Sequence, residues 1–165
     1  MAIRFLLTDK QSLPTATKKA LEGIEQTSII GGSAVISDSV VSELNNTVRI
    51  SGSSRYEAAV NIIKELNMHA DRVYVATGTS FADALTGSVL AAKNNAPLFL
   101  VKQNEVPAVV NTFITQKQIT DFTILGGKGA VGDMLREGRR DWSFVPLLIR
   151  YIIISMIREG LLLCS

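Results

Sequence analysis

The sequence predicts an α/β fold, a small parallel sheet flanked by helices, on three observations. Short apolar runs alternate with helical stretches across links of only a few residues. The run Val73-Tyr74-Val75-Ala76 is apolar without alternation, as suits a strand covered on both faces. The same order of parts then recurs within the chain: Pro14 and Pro107 lie 93 residues apart, and Gly31 and Gly126 lie 95 apart. Parallel strands joined through helices call for right-handed crossovers.

The elements follow in order. Phe5 to Leu44 lays over Leu98 to Glu137: an apolar run, a polar turn, a helix opened by Pro14 or Pro107, a short strand at Ile29-Ile30 or Ile124-Leu125, and a glycine pair, Gly31-Gly32 or Gly126-Gly127. A period this long marks a domain-sized repeat rather than a small solenoid unit. Residues 1–47 therefore read as the back half of one copy, and 48–137 as a complete copy. Within the complete copy, Val48 to Ile50 is a strand, and Ser54-Arg55-Tyr56-Glu57 is a capping box that satisfies two orphan N–H groups. Ala58, Ala59, Ile62, Ile63 and Leu66 give the helix after it an apolar face, and Asn67 to Ala70 ends it. Val73 to Ala76 is the next strand, Thr77 to Ser80 a loop, Asp83 to Asn94 a helix, and Pro97 to Val101 a further strand. Residues 138–165 change regime, with the only Trp, the only Cys, four Arg and no Lys. Their apolar stretch Phe144 to Ile157 is broken by Pro146 and Arg150 and falls short of the roughly 18 uncharged residues of a membrane span, so it reads as a buried or aggregation-prone tail.

Composition narrows the chemistry. The 165 residues are 47% apolar and 19% charged, which suits one globular domain or a pair of small ones. A formal charge of +2 falls short of a dedicated nucleic-acid binder. One histidine, His69, and one cysteine, Cys164, cannot build a zinc site, and no metal or cofactor is expected. Ser80 lies outside any G-x-S-x-G elbow and no Cys/His pair is present, so no catalytic residue is expected either. The opening MAIRFLLTD lacks the long apolar core and cleavage site of a signal peptide, and scarcity of cysteine fits both the cytosol and disulfide-free export.

Four ordered motifs carry a resemblance. Arg49-Ile50-Ser51-Gly52-Ser53-Ser54-Arg55-Tyr56-Glu57, then Ala76-Thr77-Gly78-Thr79-Ser80-Phe81-Ala82-Asp83-Ala84-Leu85, then Ala96-Pro97-Leu98-Phe99-Leu100, then Ile124-Leu125-Gly126-Gly127 resemble the cell wall binding repeat 2 family over roughly Ile3 to Glu137. The resemblance implies a Toprim-like module, tandem copies associating in threes, and a parent protein held on a Gram-positive surface by anionic wall polymers. Departures from the pattern are Ala58 in place of a hydroxyl residue and Leu98-Phe99 within the Pro97 signature; Arg150-Tyr151 follows Arg55-Tyr56 by 95 residues but lacks the flanking Gly and Glu. Toprim enzymes use an Asp-x-Asp motif, which this chain lacks, so the implied fold does not bring their catalysis with it.

Polymer contact is expected from Arg55, Arg49, Phe81, Gly126 and Gly127. Arg55 joins a cationic fork to the first turn of a helix, where N–H groups favour anions; the alternative is an internal ion pair with Glu57 or Asp83. Arg49, in a strand, leans structural. The glycine pair offers backbone N–H groups at the carboxyl edge of a parallel sheet, or simply a turn needing positive φ. Phe81, placed in a loop, could stack on a sugar. Tyr56, Glu57, Asp83, Pro97, Gly31 and Gly32 read as framework. The expected function is noncatalytic anchoring to an anionic wall glycopolymer as part of a larger surface protein, without nucleic acid or a membrane span. Alternatives are a cytosolic α/β enzyme binding a small phosphorylated ligand at the Thr77–Asp83 and Gly126-Gly127 loops, and an oligomerisation module.

Overall fold

The computed structural model describes residues 6–136 and 148–152. The chain divides into two compact units, Met1–Asn67 and Met68–Ser165. The first copy's last strand and the second copy's first strand fall in the same unit, so contact and sequence repetition cut the chain at different points.

In the first unit, Pro14 caps the short helix α1 (Thr15–Ala20). Strand β1 (Thr27–Ile30) is followed by a single helical turn, α2 (Asp38–Val41). Strand β2 (Thr47–Ile50) pairs with β1 in parallel, with Ile29 opposite Arg49 and Ile30 opposite Ile50. Helix α3 (Arg55–Glu65) follows; of the expected apolar face only Ile63 is buried, Ala58, Ala59 and Ile62 are half-buried, and Leu66 is the exposed C-cap, while Val60, outside that expected face, is the second buried residue. The capping expectation holds in a modified form. Ser54 Oγ accepts from the N–H of Glu57 at 3.2 Å, but the Glu57 carboxylate reaches one residue further back, accepting from the Ser53 N–H at 2.7 Å and the Ser53 hydroxyl at 2.5 Å.

Among the described residues, the second unit holds a four-stranded, wholly parallel sheet in the order β4-β3-β5-β6. It is built from β3 (Arg72–Thr77), helix α4 (Phe81–Lys93), β4 (Leu98–Val101), helix α5 (Ala108–Lys117), β5 (Asp121–Leu125), the turn α6 (Asp133–Arg136) and β6 (Leu148–Ile152). Both faces of β3 are buried, as its unbroken apolar run requires. Tyr74, Ala76 and Leu125 pack with Ala91 of α4 on one face, joined by Leu98. Phe99, the next residue along β4, points to the opposite face and meets Phe113 of α5 at a ring separation of 5.6 Å. The sheet is therefore sandwiched between α4 and α5. Helix α4 begins at Phe81, two residues before the sequence-based start and directly after Ser80 at the cap position, so Phe81 is its first residue and not part of a loop.

The apolar segment Phe144 to Ile157 enters the described residues only at 148–152, where its backbone adds the edge strand β6 beside β5. Trp142, Cys164 and Ile3 to Phe5 lie outside the described residues. Among the described residues, no helix is long and apolar enough to cross a membrane.

Candidate functional site

A parallel sheet collects the loops after its strands at one edge, the carboxyl edge. In the second unit this edge carries Thr77 to Ser80 after β3, the links after β4 and the glycine turn after β5. The loops are bonded to one another: the Gly78 N–H donates to the Val101 carbonyl at 2.7 Å, and the Gly132 N–H to the Gln103 carbonyl at 2.7 Å. The hydroxyls of Thr77 and Thr79 lie 2.8 Å apart, and the Thr79 N–H donates to Thr77 Oγ1 at 3.2 Å, so Thr77 shapes its own loop.

The glycine pair divides into two different positions. Gly126 is buried at φ +95°, and a Cβ there would stand 2.5 Å from Asp83 Oδ2 and 3.0 Å from the Ala130 Cβ. The Asp83 carboxylate, in the first turn of α4, meets the positive helix end and closes off Gly126. Gly127 is exposed, with open space where a Cβ would be. Lys128 beside it is exposed and pairs with Asp133 at 3.1 Å. Phe81 stands at the same edge with 80% of its surface exposed. Pro97 is buried ahead of β4, and its carbonyl accepts from the Tyr74 N–H at 2.9 Å.

The remaining candidates belong to the first unit. Arg55 is exposed as the first residue of α3, and half-buried Tyr56 follows it. Glu57 is held below the usual carboxylate range, chiefly by the Ser53 hydroxyl and then by the Ser53 N–H. Arg49 is turned inward: Nη1 donates to the carbonyls of Gly31 at 2.8 Å and Ile36 at 3.0 Å, and Nη2 to Asp38 Oδ1 at 2.9 Å. Gly31 has φ +142°, its N–H donates to the Ile50 carbonyl at 2.9 Å, and the Gly32 carbonyl accepts from Val35 and Ile36. The structure thus brings Arg49 to the first glycine turn and Asp83 to the second.

Sequence reasoning passed over Arg136. This arginine is 7% exposed, donates from Nε to the Val131 carbonyl at 2.7 Å, and also bonds the Gly126 carbonyl through Nη2. Its signal was available in the repeat: 95 residues earlier stands Val41, and a cation replacing an apolar residue between copies asks for a partner. Also unforeseen was Arg72, whose Nε donates to Asp121 Oδ2 at 2.8 Å where β3 and β5 begin, at the opposite edge of the sheet.

Comparison with known proteins agrees with this architecture. The model of the family described as cell wall binding domain 2 (CWB2) matches residues 49–136. The chain is 38% identical over 128 residues to the N-acetylmuramoyl-L-alanine amidase LytC of Bacillus subtilis (strain 168), covering 76% of this chain and 26% of that protein. It is also 38% identical over 139 residues to the amidase enhancer of the same organism, covering 82% of this chain and 19% of the relative. Among solved structures, Cwp6 from Clostridium difficile superposes with a TM-score of 0.70 at 26% identity, covering 77% of this chain and 22% of that one. Cwp8 from the same organism gives 0.68 at 27% identity, covering 80% and 24%. The chain spans about a quarter or less of each of these proteins. With the motifs, the parallel α/β units and the family match in agreement, the chain is a cell wall binding module and belongs to the cell wall binding domain 2 family.

Proposed function

We propose that this chain is a noncatalytic anchoring module, Toprim-like in fold, which retains a larger protein on a Gram-positive surface by reversible contact with an anionic wall glycopolymer. The observation that carries the reading is the family match over 49–136, which takes in the exposed Arg55, Phe81 and Gly127. Arg55 supplies a fork for phosphate or carboxylate, Gly127 an accessible backbone N–H, and Phe81 a flat apolar face for a sugar ring. Gly126 contributes by setting the turn, and Arg49 by holding its counterpart in the first unit. The enzymatic activity named for LytC is said of a protein nearly four times the length matched here, and this module's part is to hold such a partner at the wall.

Association between modules has its own support. Phe81, Leu85 and Val89 are 80%, 64% and 50% exposed and recur every four residues along α4, forming an apolar stripe on one helix face. A neighbouring copy of the family would cover it, and that is the form in which we propose association between modules.

Titration of the isolated anionic polymer into the labelled chain tests the polymer reading. Weak, saturable shifts at the amides of Arg55, Phe81 and Gly127 are expected, diminished by added salt and by Arg55→Gln. Equal shifts with a neutral glycan of the same wall, or none with the polymer, would overturn it.

A further inference from the structure

The two glycine turns hold the same object by different hands. In the first unit Arg49 bonds the carbonyls of Gly31 and Ile36. In the second, Arg136 bonds the carbonyls of Gly126 and Val131. A shift of 95 residues turns Gly31 into Gly126 and Ile36 into Val131, so these are one pair of carbonyls in two copies of the repeat. The arginines, however, occupy unrelated positions. Arg49 sits in β2 opposite Ile29, whereas the residue of β6 opposite Ile124, the counterpart of Ile29, is Tyr151. Arg136 sits in α6, and its counterpart in α2 is Val41.

We infer that the turn after each glycine strand is a built receptor for a guanidinium group, and that the opening strand of the following copy is the partner it is shaped to accept. Two carbonyls that converge on one guanidinium make a site of negative potential; Arg49 bonds both through Nη1, whereas Arg136 bonds them through Nε and Nη2. Arg49 belongs by sequence to the second copy, and the carbonyls it grips belong to the first. It therefore latches consecutive copies together, and Asp38 at the start of α2 adds a charge-assisted bond on the same guanidinium at 2.9 Å. Where the register position beside Ile124 is occupied by a tyrosine, Tyr151, and not an arginine, Arg136 fills the seat from within its own copy. The receptor is the constant feature and the donor is interchangeable. The inference rests on the repeat and on these hydrogen bonds, and stands independently of polymer binding.

Relocating the guanidinium tests it on the full chain, read by amide hydrogen exchange. The reporters are Val35 and Ile36, whose N–H groups bond the Gly32 carbonyl, and Ala130 and Val131, whose N–H groups bond the Gly127 carbonyl. Arg49→Ala should speed exchange at Val35 and Ile36 by about tenfold or more, leaving the second unit unchanged. Adding Val41→Arg to that variant, which moves the cation to Arg136's position in the repeat, should restore most of the protection. The reverse exchange, Arg136→Ala with Tyr151→Arg, should do the same for Ala130 and Val131, and provides an independent reading if the first unit of Arg49→Ala does not fold. Unchanged exchange in the single variants would overturn the inference, as would failure of both relocations while the other unit keeps its native exchange pattern.

Discussion

At Gly126 and Gly127 adjacent residues of one type do different work. Gly126 combines positive φ with a wall formed by Asp83 and Ala130, so a methyl group meets both backbone strain and a steric clash. Gly126→Ala should destabilise the second unit by about 1–3 kcal/mol, read from the urea midpoint at its amide signals. Gly127→Ala should leave that midpoint within about 0.5 kcal/mol, because its surroundings are open. The glycine pair was legible as a turn from sequence, but which member the turn depends on was not. That distinction comes from Asp83, 43 residues away, whose approach no local pattern encodes. Arg136 escaped notice for a similar reason: its acceptors are backbone carbonyls, which leave no trace in residue type.

Strands and helices were more legible, because their causes are local. The continuous apolar run of β3, the prolines before α1 and α5, and Ser54 before α3 each placed an element to within a residue or two. The start of α4 was placed late, because Asp83 reads as a helix opener when Ser80, which occupies the cap position without a side-chain bond, is discounted. Strand β6 was not foreseen, since an apolar stretch interrupted by Arg150 announces no partner; its pairing is set by the edge that β5 presents. The box at the start of α3 yields a pH prediction. The folded-state pKa of Glu57 is depressed by Ser53, so the stability it contributes is present above the ordinary carboxylate value and is lost as pH falls through the lowered one. Exchange at the Ser53 amide, corrected for intrinsic pH effects, should rise across that acidic window in the native chain. In Glu57→Gln that pH-dependent rise should be absent. On α4, replacing Leu85 and Val89 with serine should cost no more than about 1 kcal/mol of stability, since half or more of each side chain is already exposed. The same pair should abolish concentration-dependent association in sedimentation velocity if the stripe is where copies meet.

For the molecule as a whole, the consequence is weak contact made useful by repetition. An exposed charge pair contributes about 0–1 kcal/mol and is screened over roughly 8 Å at physiological salt, so the module gains retention by being linked to others. A three-copy array should remain on isolated walls at salt concentrations that release this chain, and equal release of both would contradict multivalency. The most direct measurement is sedimentation of the purified chain with Gram-positive walls before and after acid extraction of their anionic polymers. The account predicts that the chain pellets with intact walls at low salt and stays in the supernatant once the polymers are gone; undiminished pelleting with stripped walls would contradict it.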